Sequence, residues 1–328
     1  MKTLESKKIL FIYPVCHGYN LTIVSALKNM NAYVESYCEQ PNTYMGRNFY
    51  ISRLRKLSIF QKLFLSDVIA NNRIILSSIK EKKFDYVLII KGDLLTNEFI
   101  VTIKQKMPKA NFILYQWDSL KHYNYLDKMK YFNKVFSFDY NDCNRDERIL
   151  YLPLFFSGEY SKIALLKNIR YSYDLFFLGF NHTIRSSKLF ELVKICEEKG
   201  LKYSFNIMTS ITERIQIFFK NRKINCFFKS IKFEEFSDKY IKSKAIVDIS
   251  SPNQSGLPIR IIEAVGADKK IITTNLNVLK EDFYDPKMIF IWGRDNFDDL
   301  VYFLNNEHEK KNSEKYSVTS FVSKLMSS

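Results

Sequence analysis

The sequence predicts an α/β protein of two doubly wound halves in series. Short apolar runs at residues 9–13 and 86–90 and within the strand at 111–116 mark strands buried on both faces of a parallel sheet, and longer basic and apolar stretches of helical length separate them. The alternation restarts after Tyr151-Leu152-Pro153-Leu154-Phe155, where Pro153 blocks helix continuation. At 328 residues the chain also exceeds the roughly 250 to 300 residues at which single cores stop growing. Two domains are therefore expected, at 1–154 and 155–328.

Each element follows from local pattern. The strand at 9–13 is succeeded by a polar turn at 14–19 that opens a helix. A short strand is expected at 32–35, then a long basic and apolar helical region over about 49–79, and the strand at 86–90. After Lys91-Gly92-Asp93 come a helix to about 106, the strand at 111–116, a helix through Met129 and a strand at 134–138. This is a Rossmann-like half. In the second series strands are expected at 174–178, 203–208, 244–250 and 270–274, with helices at 185–199, 233–242, 258–266 and 296–305. No repeat of short period is present, which argues against a solenoid.

Composition narrows the class. With 46% hydrophobic and 26% charged residues the chain can bury sizeable cores, against disorder or a fibrous repeat. Only 9 Gly and 7 Pro, beside 21 Tyr and 28 Phe, argue against a many-turned sandwich or propeller. An excess of 50 Lys and Arg over 35 Asp and Glu gives +15, which suits nucleotide phosphates, anionic lipid or nucleic acid. The excess is shared by both halves with no basic tail, and solvated faces account equally well for its bulk. Cys16, Cys38, Cys143, Cys196 and Cys226 are odd in number with no CxxC, so a reducing compartment fits better than a disulfide framework or zinc knuckle. The N-terminal apolar run is short and reads as a strand rather than a leader, and no run approaches the roughly 20 residues that span a bilayer. A cytoplasmic protein is expected. Arg47, Arg53, Arg55, Lys56 and Lys62, interleaved with apolar residues from Phe49 to Leu65, read either as a basic amphipathic helix at a membrane surface or as a helix packed on its own sheet.

Ligands of doubly wound sheets bind outside the carboxyl ends of the strands, and two such domains are expected to face each other across a cleft. In the second half Ser250-Ser251-Pro252-Asn253-Gln254-Ser255-Gly256-Leu257 follows a buried strand and leads straight into a helix, whose amides suit an anionic phosphate. Arg260 in the first turn suits a diphosphate, and Glu263, at i+3, suits the two hydroxyls of a ribose. Spacing alone fits a local Arg–Glu pair equally well. In Leu178-Gly179-Phe180-Asn181-His182-Thr183-Ile184-Arg185, Gly179 permits close backbone approach and Arg185 can reach a phosphate, while a plain turn capped by Thr183 is the alternative. The segment lacks the GxGxxG of a nicotinamide site.

The run Gly256-Leu257-Pro258-Ile259-Arg260-Ile261-Ile262-Glu263-Ala264-Val265-Gly266, followed by Lys269-Lys270-Ile271-Ile272-Thr273-Thr274-Asn275, resembles the donor-binding segment of bacterial GT-B glycosyltransferases, above all those of lipopolysaccharide and capsule assembly. Tyr115-Gln116-Trp117-Asp118-Ser119, Phe136-Ser137-Phe138-Asp139 and Tyr151-Leu152-Pro153-Leu154 are similar to middle segments of that group, so the likeness spans most of the chain. It implies a GT-B-like fold and a nucleotide-sugar pocket lined by the Arg-x-x-Glu-Ala helix and the Ile-Thr-Thr-Asn strand end. The donor set so implied is Gly179, Asn181, Arg185, Ser250, Ser251, Gln254, Gly256, Leu257, Arg260, Glu263 and Thr274. Many retaining members carry two glutamates eight positions apart; here Ser255 stands eight before Glu263, so no anomeric outcome is implied. No Asp-x-Asp occurs. A metal-free donor site is implied, with Arg, Lys and helix amides neutralising the leaving diphosphate.

Three residues are candidates for assisting acceptor attack: His17 after the first strand, Asp93 after the strand at 86–90, and Asp118 after the strand at 111–116. Each also suits a structural role, as a cap, a turn residue and an N-cap respectively. Lys91 is expected to hold Asp93 ionised. A lone Ser119 does not suggest a hydrolase triad. The expected activity is metal-independent transfer of a sugar from a nucleotide-sugar donor, held by the second domain, to a cell-surface glycan or glycolipid acceptor held by the first, with no cofactor. A non-catalytic sugar-nucleotide-binding paralogue is the alternative. A basic nucleic-acid-binding protein is opposed by the even charge split and the lack of a binding motif.

Overall fold

The computed structural model describes residues 4–15, 18–43, 58–182, 184–220, 223–228 and 231–327. The chain forms two compact units, Met1–Leu152 with Val322–Ser328, and Pro153–Phe321. The division falls at Pro153, and residues 322–328 belong to the first unit, whereas the sequence pattern had kept them in the second half.

The first unit is a six-stranded parallel sheet of β1 (Lys8–Tyr13), β2 (Tyr33–Cys38), β3 (Tyr86–Ile90), β4 (Asn111–Gln116), β5 (Lys134–Ser137) and β6 (Ile149–Tyr151), in the order β2-β1-β3-β4-β5-β6. Its helices are α1 (Tyr19–Asn29), α2 (Ser58–Ser78), α3 (Asn97–Lys106), α4 (Leu126–Met129) and α5 (Tyr140–Arg145) among the described residues. The central strands are continuous apolar runs because helices cover both faces; in β1 all of Ile9 to Ile12 is buried. One core joins Leu10, Ile12, Val87, Ile89, Phe112 and Leu114 of the sheet to Ile75 of α2 and Phe99, Ile100 and Ile103 of α3. Helix α3 starts where Thr96 accepts from the Phe99 amide, and Glu98 and Lys104 sit at the ends the helix dipole favours. The strand order reverses between β1 and β3, the switch point at which such sheets bind ligands.

The second unit repeats the design. Its strands are β7 (Tyr173–Phe180), β8 (Tyr203–Met208), β9 (Asn225–Phe227), β10 (Ser243–Asp248), β11 (Lys270–Thr273) and β12 (Ile289–Ile291), all parallel, in the order β12-β11-β10-β7-β8-β9. The switch point lies between β7 and β10. The described helices are α6 (Gly158–Ile163), α7 (Arg185–Glu198), α8 (Ile211–Lys220), α9 (Phe233–Ile241), α10 (Ile259–Gly266) and α11 (Leu300–Asn305), with α12 (Val318–Met326) last in the chain. Helix α10 lies close enough to its neighbours that a Cβ on Gly266 would fall 2.3 Å from the Phe156 ring.

Other expectations change as well. The helix expected through Met129 is only the short α4, because residues 119–123 form a turn whose Leu120 amide is held by the Asp142 carboxylate. Of the proposed basic amphipathic segment, residues 44–57 lie outside the described residues. The remainder, α2, buries Phe64, Val68, Asn72 and Ile75 and leaves Ile59, Leu63, Leu65 and Ile74 exposed.

Candidate functional site

The second unit gathers its polar side chains at the carboxyl ends of β7, β10 and β11. Asp248, the last residue of β10, is fully buried. Its carboxylate pairs with Arg260 Nη1 at 2.5 Å and accepts from Ser250 Oγ at 2.6 Å and Thr273 Oγ1 at 3.0 Å. Arg260 Nε donates to the Leu178 carbonyl at 3.2 Å, so this first-turn arginine of α10 is stretched across the switch point from β10 to β7. Arg185, at the start of α7, donates twice to the Ile249 carbonyl, at 3.1 and 2.8 Å, and once to Phe180 O at 2.5 Å. Both guanidiniums lie over the Phe177 ring, at 5.6 Å for Arg185 and 5.3 Å for Arg260. Gly179 is required beside them, since a Cβ there would stand 2.7 Å from Arg260 Nη2.

Two arginines therefore converge with one buried aspartate, a local excess of positive charge. Burial, then the charge of Arg260, pulls Arg185 below its ordinary range, although a guanidinium remains charged at neutral pH. Burial and the same two arginines push His182 down to about 4, so its ring is neutral at pH 7. Its Nδ1 and the Asn181 Oδ1 are buried with no hydrogen-bond partner among the described residues. Such groups have unmet bonding capacity at the mouth of a cationic cluster.

The loop from β10 to α10 is held from β11. Thr274 Oγ1 accepts from the Ser250 amide at 3.0 Å, Asn275 Nδ2 donates to Gly256 O at 3.0 Å, and Asn277 Nδ2 donates to Ser255 O at 2.8 Å. Ser251 and Gln254 form a turn in which the Gln254 amide donates to Ser251 O. The sequence-derived donor set lies at the strand ends, in the loop from β10 to α10 and on α7 and α10 of this unit, with three qualifications. Arg185 is committed to the carbonyls of Ile249 and Phe180 and braces the loop rather than presenting its fork to a phosphate. Leu257 is a core residue, so only its backbone is available. Glu263 is buried a turn beyond Arg260, and after burial itself its charge helps hold the Tyr240 phenol above the ordinary range.

In the first unit, the residues after β3 form a rigid loop. Lys91 and Gly92 both adopt left-handed backbone, with φ of 67° and 69°, a conformation strained for lysine. Neighbours fix it: Gln116 donates to Lys91 O, Lys128 Nζ to Gly92 O and Leu95 O, and Asn72 to Leu94 O while accepting from the Thr96 amide. Lys91 Nζ is shared between Asp93 at 3.2 Å and Asp118 at 3.0 Å. Two of the three proposed acceptor-side residues are thus brought together by one ammonium; His17 lies outside the described residues.

Sequence reasoning missed Asp248, His182 and Glu39. Asp248 ends an otherwise apolar strand, and a lone carboxylate in such a run was the signal available. Glu39 follows β2, which extends to Cys38 rather than ending at residue 35 as the pattern suggested. Among the described residues no group of three or more His, Cys, Asp or Glu side chains is placed to hold a metal ion, and no helix is long and apolar enough to cross a membrane.

No family model and no curated protein matches the chain. Solved structures do. AviGT4, a glycosyltransferase involved in avilamycin A biosynthesis, matches at a TM-score of 0.62 and 9% identity over 97% of this chain and 95% of that one. Methanocaldococcus jannaschii UDP-GlcNAc 2-epimerase, in complex with UDP-GlcNAc and UDP, matches at 0.56 and 14% over 97% and 98%. The apo form of the lipopolysaccharide outer core galactosyltransferase WaaB matches at 0.50 and 14% over 97% and 95%. At these identities the likeness is one of fold, and the fold is GT-B-like, with two Rossmann-like domains.

Proposed function

We propose that the protein is a glycosyltransferase that moves a sugar from a nucleotide-sugar donor to a glycan or glycolipid acceptor, with the donor at the carboxyl ends of the second sheet. The observation that carries the reading is the pair Arg185 and Arg260 converging with the single carboxylate of Asp248 at the switch point, beneath a loop that feeds the N-terminus of α10. A surplus positive charge with backbone amides above it suits a diphosphate. Solved structures of similar fold in complex with UDP-GlcNAc and with UDP-glucose support the same ligand class.

The chemistry follows from the charges. As the bond from the sugar C1 to the diphosphate breaks, negative charge grows on the departing oxygen, and Arg260 with the amides at the start of α10 stabilises it without a metal. Asp93 takes the proton of the acceptor hydroxyl as that oxygen bonds to C1. Asp118 and Lys91 fix its carboxylate. The acceptor class is a cell-surface glycan of the lipopolysaccharide, O-antigen or capsule type, reached at the inner face of the membrane.

Screening UDP-, GDP-, dTDP- and CMP-sugars by thermal shift, then following diphosphate release with acceptor, tests the reading. One nucleotide-sugar class should stabilise the protein and be consumed in the presence of acceptor. Stabilisation by none would overturn it. Binding without consumption would favour a non-catalytic paralogue, and a changed sugar configuration without transfer would favour an epimerase.

A further inference from the structure

A pocket of about 140 Å3 opens on the first unit at the β1/β3 switch point, bounded by Pro14 and Val15 after β1, Glu39 and Gln40 after β2, and Lys91 and Asp93 after β3. That is about ten times the space one buried water requires, enough for a ring. Glu39 is fully buried, yet it lines this pocket. The Leu94 amide approaches its Oε2 at 3.4 Å, while its Oε1 has no hydrogen-bond partner among the described residues.

We propose that this pocket binds a neutral sugar ring, and that Glu39 contacts it directly, with Oε1 and the Asp93 carboxylate sharing one ring hydroxyl. The proposal rests on the glycosyl-transfer reading for identifying that ring with the acceptor. The charges select the class of ligand. Lys91 stands between Asp93 and Asp118, and Lys128 is anchored on the same loop, so an added cation meets two ammonium groups. An anion meets Asp93 and Asp118. A hydroxyl is neutral, and it both accepts and donates. Burial, then the charge of Asp93 and a side-chain hydrogen bond with it, raise Glu39 well above the usual carboxylate range, against the opposing pull of Lys91, and so favour its protonated form. The other groups facing it are Tyr123, whose phenol is raised by burial and by Asp93 and Glu39, and Lys128, lowered by burial. The loop that carries Lys91 and Asp93 is strained and pinned from α2, β4 and Lys128, which preorganises the carboxyl groups.

The test titrates the full chain at pH 7 with the methyl α- and β-pyranosides of glucose, galactose, mannose and N-acetylglucosamine, by saturation-transfer NMR. At least one should bind saturably. Glu39→Ala should weaken it at least about tenfold, the effect of removing a buried hydrogen-bond partner, and Asp93→Asn should weaken it too. Glu39→Gln keeps the shape and a donor and should bind near wild type at pH 7. A packing role would not alter the pH profile. Wild-type affinity should fall as pH rises through the raised Glu39 value, because the donated hydrogen is lost, and Glu39→Gln should be flat there. Should Glu39→Ala fail to fold, Glu39→Gln and Asp93→Asn carry the comparison. No saturable glycoside, binding that survives both Glu39→Ala and Asp93→Asn, an identical pH profile in Glu39→Gln, or calcium or manganese binding that depends on Glu39 would each overturn the proposal. Nucleotide-sugar stabilisation without glycoside binding removes the pocket and leaves the transfer reading, whereas glycoside binding without nucleotide-sugar stabilisation does the reverse.

Discussion

Asp248 and Gly179 show how single residues divide stability from binding. Removing the Asp248 carboxylate leaves Arg260 and Arg185 facing each other without their buried counter-charge, so Asp248→Asn should destabilise the fold by about 3 kcal/mol in denaturant unfolding. A loss below about 1 kcal/mol would show that water already screens the pair. Gly179→Ala should behave differently. The added Cβ meets the far end of the Arg260 guanidinium, which can swing aside only by loosening its pair with Asp248, so the melting temperature should fall by less than in Asp248→Asn while nucleotide-sugar affinity drops about tenfold. Unchanged affinity in Gly179→Ala would take Arg260 out of the donor site. Arg260 was singled out in the sequence by its first-turn place after a Ser, Gln and Gly loop together with the GT-B resemblance, since spacing alone fits a local Arg–Glu pair equally well. Asp248 was not, since a carboxylate closing an apolar strand shows its partners only after β7 and α10 have been brought beside it. Glu39 was hidden by the same dependence on tertiary neighbours.

At the scale of elements, long buried strands and capped helices could be read directly, and short edges could not. The strands β3, β4 and β8 coincide with their apolar runs, whereas β6, β9 and β12 have three residues each, too few for a period to register. Helix α8 was not anticipated although Ile211, Ile215, Phe218 and Phe219 recur at helical spacing, and Ile215, Phe218 and Phe219 of that stripe stay exposed while Ile217 is buried. The amino ends of β10 and β11 also carry a cavity, of about 460 Å3, larger than the one at the first switch point, but its lysines are occupied. Lys269 Nζ donates to the carbonyls of Ile241 and Ser243, tying the end of α9 to β10, and Lys270 donates to those of Phe303 and Asn306 at the end of α11. Burial lowers both ammonium groups to about 8 from an ordinary 10.5. Between those values the unfolded chain holds more protons than the folded one, so their contribution to stability is lost as pH falls through about 8 and regained as it rises towards 10.5. Comparing the pH slope of unfolding midpoints in wild type and Lys269→Met checks this: the variant should rise less between pH 8 and 10.5, and an equal slope would contradict the burial assigned to Lys269.

For the whole molecule, the question is how a chain with +15 net charge directs an anionic ligand to one place. The excess is distributed over both halves, and many surface lysines are paired, as Lys82 is with Glu35 and Lys223 with Glu197, so general charge raises encounter rates without choosing a site. Selection requires buried, preorganised donors, and the second sheet supplies them where its strand order reverses. The first sheet reverses at the equivalent point but presents carboxylates there, Asp93 and Asp118 around Lys91, which repel a diphosphate. The two units therefore share a topology and differ in the sign of charge at their switch points. Hydrogen exchange with saturating nucleotide-sugar makes that difference measurable. Protection should rise in the segments 178–185 and 249–275, whose amides and carbonyls frame Arg185, Asp248 and Arg260, while the loop at 91–96 exchanges as before. A free methyl glycoside should invert the pattern, slowing 91–96 alone. Protection of 91–96 by the nucleotide diphosphate without its sugar would place the phosphates on the first sheet, and the opposite charges of the two switch points would then no longer explain which ligand each one takes.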